Sequence, residues 1–145
     1  YEIGTGDWNS DVCSSDLAAE NHETLDLIPL EKKIMEFKIC LEKKDHDKLQ
    51  KINTQFHDLL YALSKSPKLI KMINQLRAQI SRFRQMILKQ SEYAHKSNED
   101  HIKMLEAIKN RDGDAVEKLV KAHIIKGKIA VLTQLKQEEE KKKSA

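Results

Sequence analysis

Glycine and proline are scarce in this 145-residue chain, at four and two residues. A β-sandwich, a barrel or a disordered linker needs more of both for its turns and breaks. Aromatic residues make up only 5%. The two cysteines, Cys13 and Cys40, are too few for a disulfide framework or a cysteine zinc site, which fits a reducing cytoplasm. No run of eighteen apolar residues offers a membrane span, and no basic-then-apolar start marks a secretory signal. What is abundant is charge, at 34% Asp, Glu, Lys and Arg, with Leu, Ile and Gln recurring throughout. That is the composition of a soluble helical protein, and the length allows one domain or a little less than one two-domain regulator.

Residues 1–17 stand apart from the rest. They hold Gly4, Gly6, Cys13 and the only tryptophan, Trp8, with four acidic residues and no Lys or Arg. They net −4, so the remainder nets +7. The run Gly6-Asp7-Trp8-Asn9-Ser10-Asp11-Val12-Cys13-Ser14-Ser15-Asp16-Leu17 resembles a translated sequencing adapter, and the segment is read as a non-native or disordered leader. The rest divides into a helical bundle over 18–136 and a charged tail over 137–145. Its positive charge reads as dispersed among acidic residues, unlike the clustered footprint of a DNA-binding surface.

Apolar spacing is helical almost everywhere from Ala18 on. Leu30, Ile34, Phe37 and Leu41 form one stripe, with Pro29 at a first-turn position that tolerates proline. Residues 43–47 offer a polar break and an N-cap. Leu49, Ile52, Phe56, Leu59, Leu60 and Leu63 form a second stripe, ended by Ser64-Lys65-Ser66-Pro67. A long helix over about 68–90 carries Ile73, Leu76, Ile80, Phe83 and Ile87. The polar stretch 91–98 ends or bends it, and Ser97-Asn98-Glu99-Asp100 reads as a capping box for the next helix. Arg111-Asp112-Gly113-Asp114 is a turn, and a last helix frays into Glu138-Glu139-Glu140-Lys141-Lys142-Lys143. The expected architecture is an all-α antiparallel bundle of about five to six helices.

Three of the six histidines sit on or beside apolar stripes. His57 and Asn53 lie about 100° and 60° from Phe56 on one flank of its helix. His101 comes one turn before Leu105, and His123 one turn after Leu119. Three helices thus each aim one imidazole inward. Any one of these is explained as a core histidine, but three together equally suit a divalent metal, with the Asn53 oxygen as a fourth ligand. Zinc, nickel, manganese and iron all accept imidazole. His22, His46 and His95 lie in polar stretches and read as surface. Arg84 and Arg77 fall about 40° and 60° from Ile80, on the core flank, where a guanidinium suits a carboxylate. Arg82 points away. No phosphate-binding loop, HExxH, CxxC, G-x-S-x-G or paired Glu-x-x-His motif occurs, and no catalytic acid–base pair stands out.

Asn53-Thr54-Gln55-Phe56-His57 resembles the (Asp/Asn)-x-x-Phe-His signature of the FCD domain, the effector-binding half of FadR-type GntR transcription regulators. Leu63-Ser64-Lys65-Ser66-Pro67-Lys68-Leu69 is similar to its Asn-Pro-Leu turn, with Lys65 and Ser66 in place of Gly-Asn. Leu76 to Arg84 resembles its arginine-bearing helix, and Asp100-His101-Ile102-Lys103-Met104-Leu105-Glu106-Ala107-Ile108 its Glu-His block. Asp112 to Ala115 and Ala122-His123-Ile124 follow in the same order, and Ala18-Ala19-Glu20 looks like the end of the domain's first helix.

The resemblance implies metal ligands at Asn53, His57, His101 and His123, with Asn53 replacing the commoner aspartate. It implies a carboxylate effector held with the help of Arg77 and Arg84, and a homodimer. It also implies operator DNA binding only through an N-terminal winged helix-turn-helix that this chain lacks, and a first helix that is cut short. The other reading of the same three histidines is a stand-alone metal-dependent helical-bundle enzyme.

Overall fold

The computed structural model describes Ala19 and residues 23–143; the adapter-like reading of 1–17 and the surface reading of His22 lie outside the described residues. After a 3-10 turn at Thr24–Leu27 come five α-helices: α1 Ile28–Lys43, α2 His46–Leu63, α3 Pro67–Leu88, α4 Ser91–Lys109 and α5 Gly113–Lys143. Loops of two or three residues join them, and connections that short force antiparallel neighbours. The helices close into a bundle in which α1 packs on α2 and α4, α4 on α5, and α3 against α2, α4 and α5.

Local chemistry accounts for the boundaries. Asp45 caps α2 by accepting the Lys48 backbone N–H at 3.1 Å, satisfying one of the free amides of the first turn. Asp112 does the same for α5 through Ala115, at 3.0 Å. Between α2 and α3, the Ser64 hydroxyl donates to the Tyr61 carbonyl at 2.7 Å, and Pro67 opens α3. Lys44, Lys65 and Arg111 turn the chain in left-handed conformations, with φ of 54°, 53° and 53°. Lys65 therefore supplies a turn that glycine makes without steric cost.

Three expectations are corrected. No break occurs at Ser97: α4 runs unbroken from Ser91, and Ser97, Asn98 and Asp100 are buried on its inner face. A polar run mimics a loop when the polar face is the buried one. The acidic and basic end of α5 stays helical to Lys143, being built of strong helix formers with no glycine or proline. Nor is the positive charge dispersed: residues 59–91 hold seven cations (Lys65, Lys68, Lys71, Arg77, Arg82, Arg84 and Lys89) and no acid, so the rest of the chain nets −4. Most of these cations lie on α3, whose buried side chains include Ile73, Ile87 and Leu88 while Leu76, Ile80 and Phe83 are only half-buried.

The core is layered along the bundle axis. One apolar cluster joins Ala19, Leu27, Leu30 and Ile34 to Phe56, Leu60, Met104, Ile108, Val116 and Val120. A smaller one, toward the other end, joins Phe37, Cys40, Leu49, Ile52, Leu88 and Ala94. The inward histidines form a middle layer where the two adjoin: His101 lies between Ala94 and Met104 on α4, its ring touching Phe37 of one cluster and Phe56 of the other. His57 follows Phe56, and His123 precedes Ile124, at the edge of the larger.

Candidate metal centre

His57 on α2, His101 on α4 and His123 on α5 converge in this middle layer. Each offers a ring nitrogen, and the three nitrogens lie within 4.8 Å of one another. Ring centroids are 5.1 Å apart for His57–His101 and His101–His123, and 5.7 Å for His57–His123. Nitrogens about 2.1 Å from a shared tetrahedral ion sit about 3.4 Å apart, so modest side-chain rotation converts this spacing into a coordination shell.

Packing sets the ring orientations. Phe56 stacks on His101 at 4.3 Å, and Phe37 meets the same ring edge-on at 5.8 Å. All three histidines are at most 8% exposed. Burial pushes His57 and His101 well below the usual imidazole range, assisted for both by the Arg84 charge and the neighbouring histidines. Both are neutral bases near pH 7, the form that binds metal.

Among the described residues three buried side-chain atoms lack a hydrogen-bond partner: the Asn53 Oδ1, the His101 Nε2 and, three residues before His101 on α4, the Asn98 Oδ1. An unsatisfied buried acceptor costs about 1–3 kcal/mol, so it calls for an explanation. Asn53 lies one turn before His57 on the same face of α2 and is 3% exposed. A divalent ion among the three rings would satisfy the His101 nitrogen, and the Asn53 oxygen, one turn from His57, is the orphan placed to join it. The residues present therefore fit a metal.

The sequence pattern did not reveal Asp100 and Lys126. The Asp100 carboxylate approaches His123 Nδ1 at 3.3 Å and accepts from Lys126 Nζ at 2.9 Å through each oxygen. Burial opposes its charge, but the His123 and Lys126 contacts outweigh that and hold it at about 2. A carboxylate behind a histidine fixes its tautomer and leaves the other ring nitrogen facing the centre. The available signal was His123 and Lys126 at an i, i+3 spacing, on one face of α5.

The two arginines part company. Arg77 turns outward to Asp58 at 2.8 Å and to Asn74, an exposed arrangement worth little stability. Arg84 reaches inward and donates to the Tyr61 hydroxyl at 3.1 Å, with the Tyr61 ring 6.0 Å from that of His57. Thr54, Asp58, Tyr61, Ser81 and both arginines line a cleft between α2 and α3 of about 10 Å³, room for about one water. Between α4 and α5, the Tyr93 hydroxyl lies 3.0 Å from where a Cβ on Gly127 would stand, so a side chain there would have to displace the tyrosine tip by a few tenths of an ångström. Burial, then the Asp100 charge, pushes the Tyr93 phenol up to about 12, leaving it a neutral hydrogen-bonding group.

Comparison with known proteins agrees with this architecture. The model of the FCD domain matches residues 14–126, beginning inside the segment set aside as a leader. The solved structure of E. coli McbR/YncC superposes with a TM-score of 0.77 at 24% identity, over 88% of this chain and 64% of that one. At that identity the likeness speaks to the fold, and this chain spans less than two thirds of that protein's length. No characterised protein sequence matches the chain. Among the described residues, no helix is long and apolar enough to cross a membrane.

Proposed function

The chain belongs to the FCD family of effector-binding regulatory domains, and on that premise we propose that it is the sensing and dimerising part of a cytoplasmic GntR-type transcription regulator. Its effector is a small organic acid held in the middle layer by a divalent metal, zinc, nickel or manganese. The observation that carries this reading is the convergence of three buried imidazoles, with His101 Nε2 unpartnered and a second unpartnered atom, Asn53 Oδ1, one turn before His57 on the same helix face. Asn53, His57, His101 and His123 hold the ion, which when bound supplies a Lewis-acidic centre for a carboxylate. Arg84, already aimed at that layer, supplies the second half of the carboxylate clamp. Arg77 takes part only if it leaves Asp58.

The response runs through α3. Admitting an anion larger than one water requires the α2–α3 cleft to widen, and α3 is the weakly embedded helix that yields. A ligand preferring the widened form shifts the population toward it, and the spacing of DNA-binding heads carried by a dimer shifts with it. Operator DNA is read by an attached winged helix-turn-helix, outside these residues. Ile125, Ile129 and Leu132, exposed at steps of four and three on α5, offer an apolar strip for a second copy.

The enzyme reading gains no support from the site. Among the described residues, the one carboxylate touching the histidines is Asp100, and Lys126 and His123 already engage it. Thermal melts of metal-loaded protein with a panel of small carboxylates test the sensor reading. It predicts that at least one acid raises the melting temperature and is recovered unchanged. Consumption of the acid would favour the enzyme instead.

A further inference from the structure

Among the described residues, every donor assigned above to the metal is uncharged. Asn53 offers an amide oxygen, and His57, His101 and His123 bind a metal only as neutral imidazoles. The single carboxylate in contact, Asp100, lies behind His123, and Lys126 matches its charge at 2.9 Å from each oxygen. On the other side Arg84, hydrogen-bonded to Tyr61, brings a positive charge with no acidic partner of its own among the described residues. The fixed charge around this buried layer is therefore positive before any cation arrives. A divalent ion adds two more positive charges where the protein provides no counter-ion, and uncompensated buried charge is costly.

We propose that this site takes its divalent cation and a carboxylate as a coupled pair, the anion supplying the negative charge that Asn53 and the Lys126-matched Asp100 do not. The inference rests on the metal-and-carboxylate reading above and adds a direction to it. Metal alone binds weakly, carboxylate alone binds weakly, and each strengthens the other by the same factor, as linkage requires. The cleft between α2 and α3 stays narrow until both are present. Residue 53 is the determinant: an aspartate there places a negative charge in the layer permanently and removes the metal's need for the ligand.

Zinc titration of metal-free protein tests the coupling, in a carboxylate-free buffer and again with acetate or succinate, free zinc being buffered alike in all arms. Wild type is expected to gain at least about tenfold in zinc affinity from one of the two acids, about 1.4 kcal/mol of coupling. Asn53→Asp is expected to bind zinc at least about tenfold tighter than wild type without carboxylate, and to gain much less from adding it. A wild type indifferent to both acids, or an Asn53→Asp protein no tighter than wild type, overturns the coupling while leaving the metal site standing. A wild type that takes up no zinc in any arm removes the metal reading, and the coupling with it. The wild-type arms need no variant to fold.

Discussion

The cluster around Leu30, Leu60 and Ile108 and the histidine layer beside it are built by the same helices and are buried to nearly the same degree. Their energetics are opposed. In the apolar cluster burial is the source of stability, roughly 25 cal/mol for each Å² of apolar surface removed from water. In the histidine layer burial is a cost. Imidazoles are stripped of water, an amide oxygen and a ring nitrogen go unpaired, and a carboxylate is retained only with a lysine against it. A bundle gains nothing in stability from such a layer, so its presence points to a ligand that repays it. That contrast, more than the histidines alone, separates a sensing domain from a plain helical bundle.

The contrast can be broken most forcefully from the apolar side. Leu30 is fully buried, and Leu30→Ala should cost about 2–5 kcal/mol in urea unfolding, metal present or absent. A cost under about 1 kcal/mol would mean that this cluster is not the stabilising layer.

Acid attacks the other layer. His57 and His101 are held below their ordinary 6.5 in the folded state, so the unfolded chain binds protons first as pH falls. Their contribution is fully present above about pH 6.5. Below it, metal-free protein should lose up to about 1.4 kcal/mol per pH unit for each histidine. Asp100, held at about 2, adds its own loss only beneath the ordinary carboxylate value of 3.8. Urea midpoints flat between pH 7 and 5 would contradict the neutral, buried histidines.

Asn53→Leu sharpens the comparison from within. Replacing an unpaired amide oxygen by an apolar side chain of similar size should leave metal-free stability within about 1 kcal/mol of wild type, or raise it. A loss above about 2 kcal/mol would show that Asn53 is a structural residue. The smallest expected effect lies outside both layers. Lys65→Gly relieves a left-handed lysine at φ 53° and should stabilise by about 0.5 kcal/mol, read as a small rise in melting temperature.

The elements best read from sequence are those where pattern and packing agree. The stripe through Leu49, Ile52, Phe56 and Leu60, an N-cap within residues 43–47 and a break at Ser64 to Pro67 all stand where periodicity and capping chemistry put them. Inward pointing of Asn53, His57, His101 and His123 was legible for the same reason, since each lies at a helical step from an apolar neighbour. The failures share a cause too. Ser97, Asn98 and Asp100 are polar and buried, so a pattern that equates polar with exposed turned the inner face of α4 into a cap and hid the Asp100–Lys126 pair. Arg77 and Arg84 occupy one flank of the helix wheel, and only the position of Asp58 across the cleft separates them. Tertiary partners decide such cases, and the sequence of a single helix does not contain them.

The central claim is that the histidine layer exists to hold a metal. Metal content of purified protein, measured by elemental analysis beside His57→Ala, His101→Ala and His123→Ala, tests it most directly. The prediction is about one divalent ion per chain in the wild type after loading with metal and carboxylate and removal of the excess, and a large loss in each variant. A wild type that retains no stoichiometric ion, or variants that retain as much as the wild type, would contradict it.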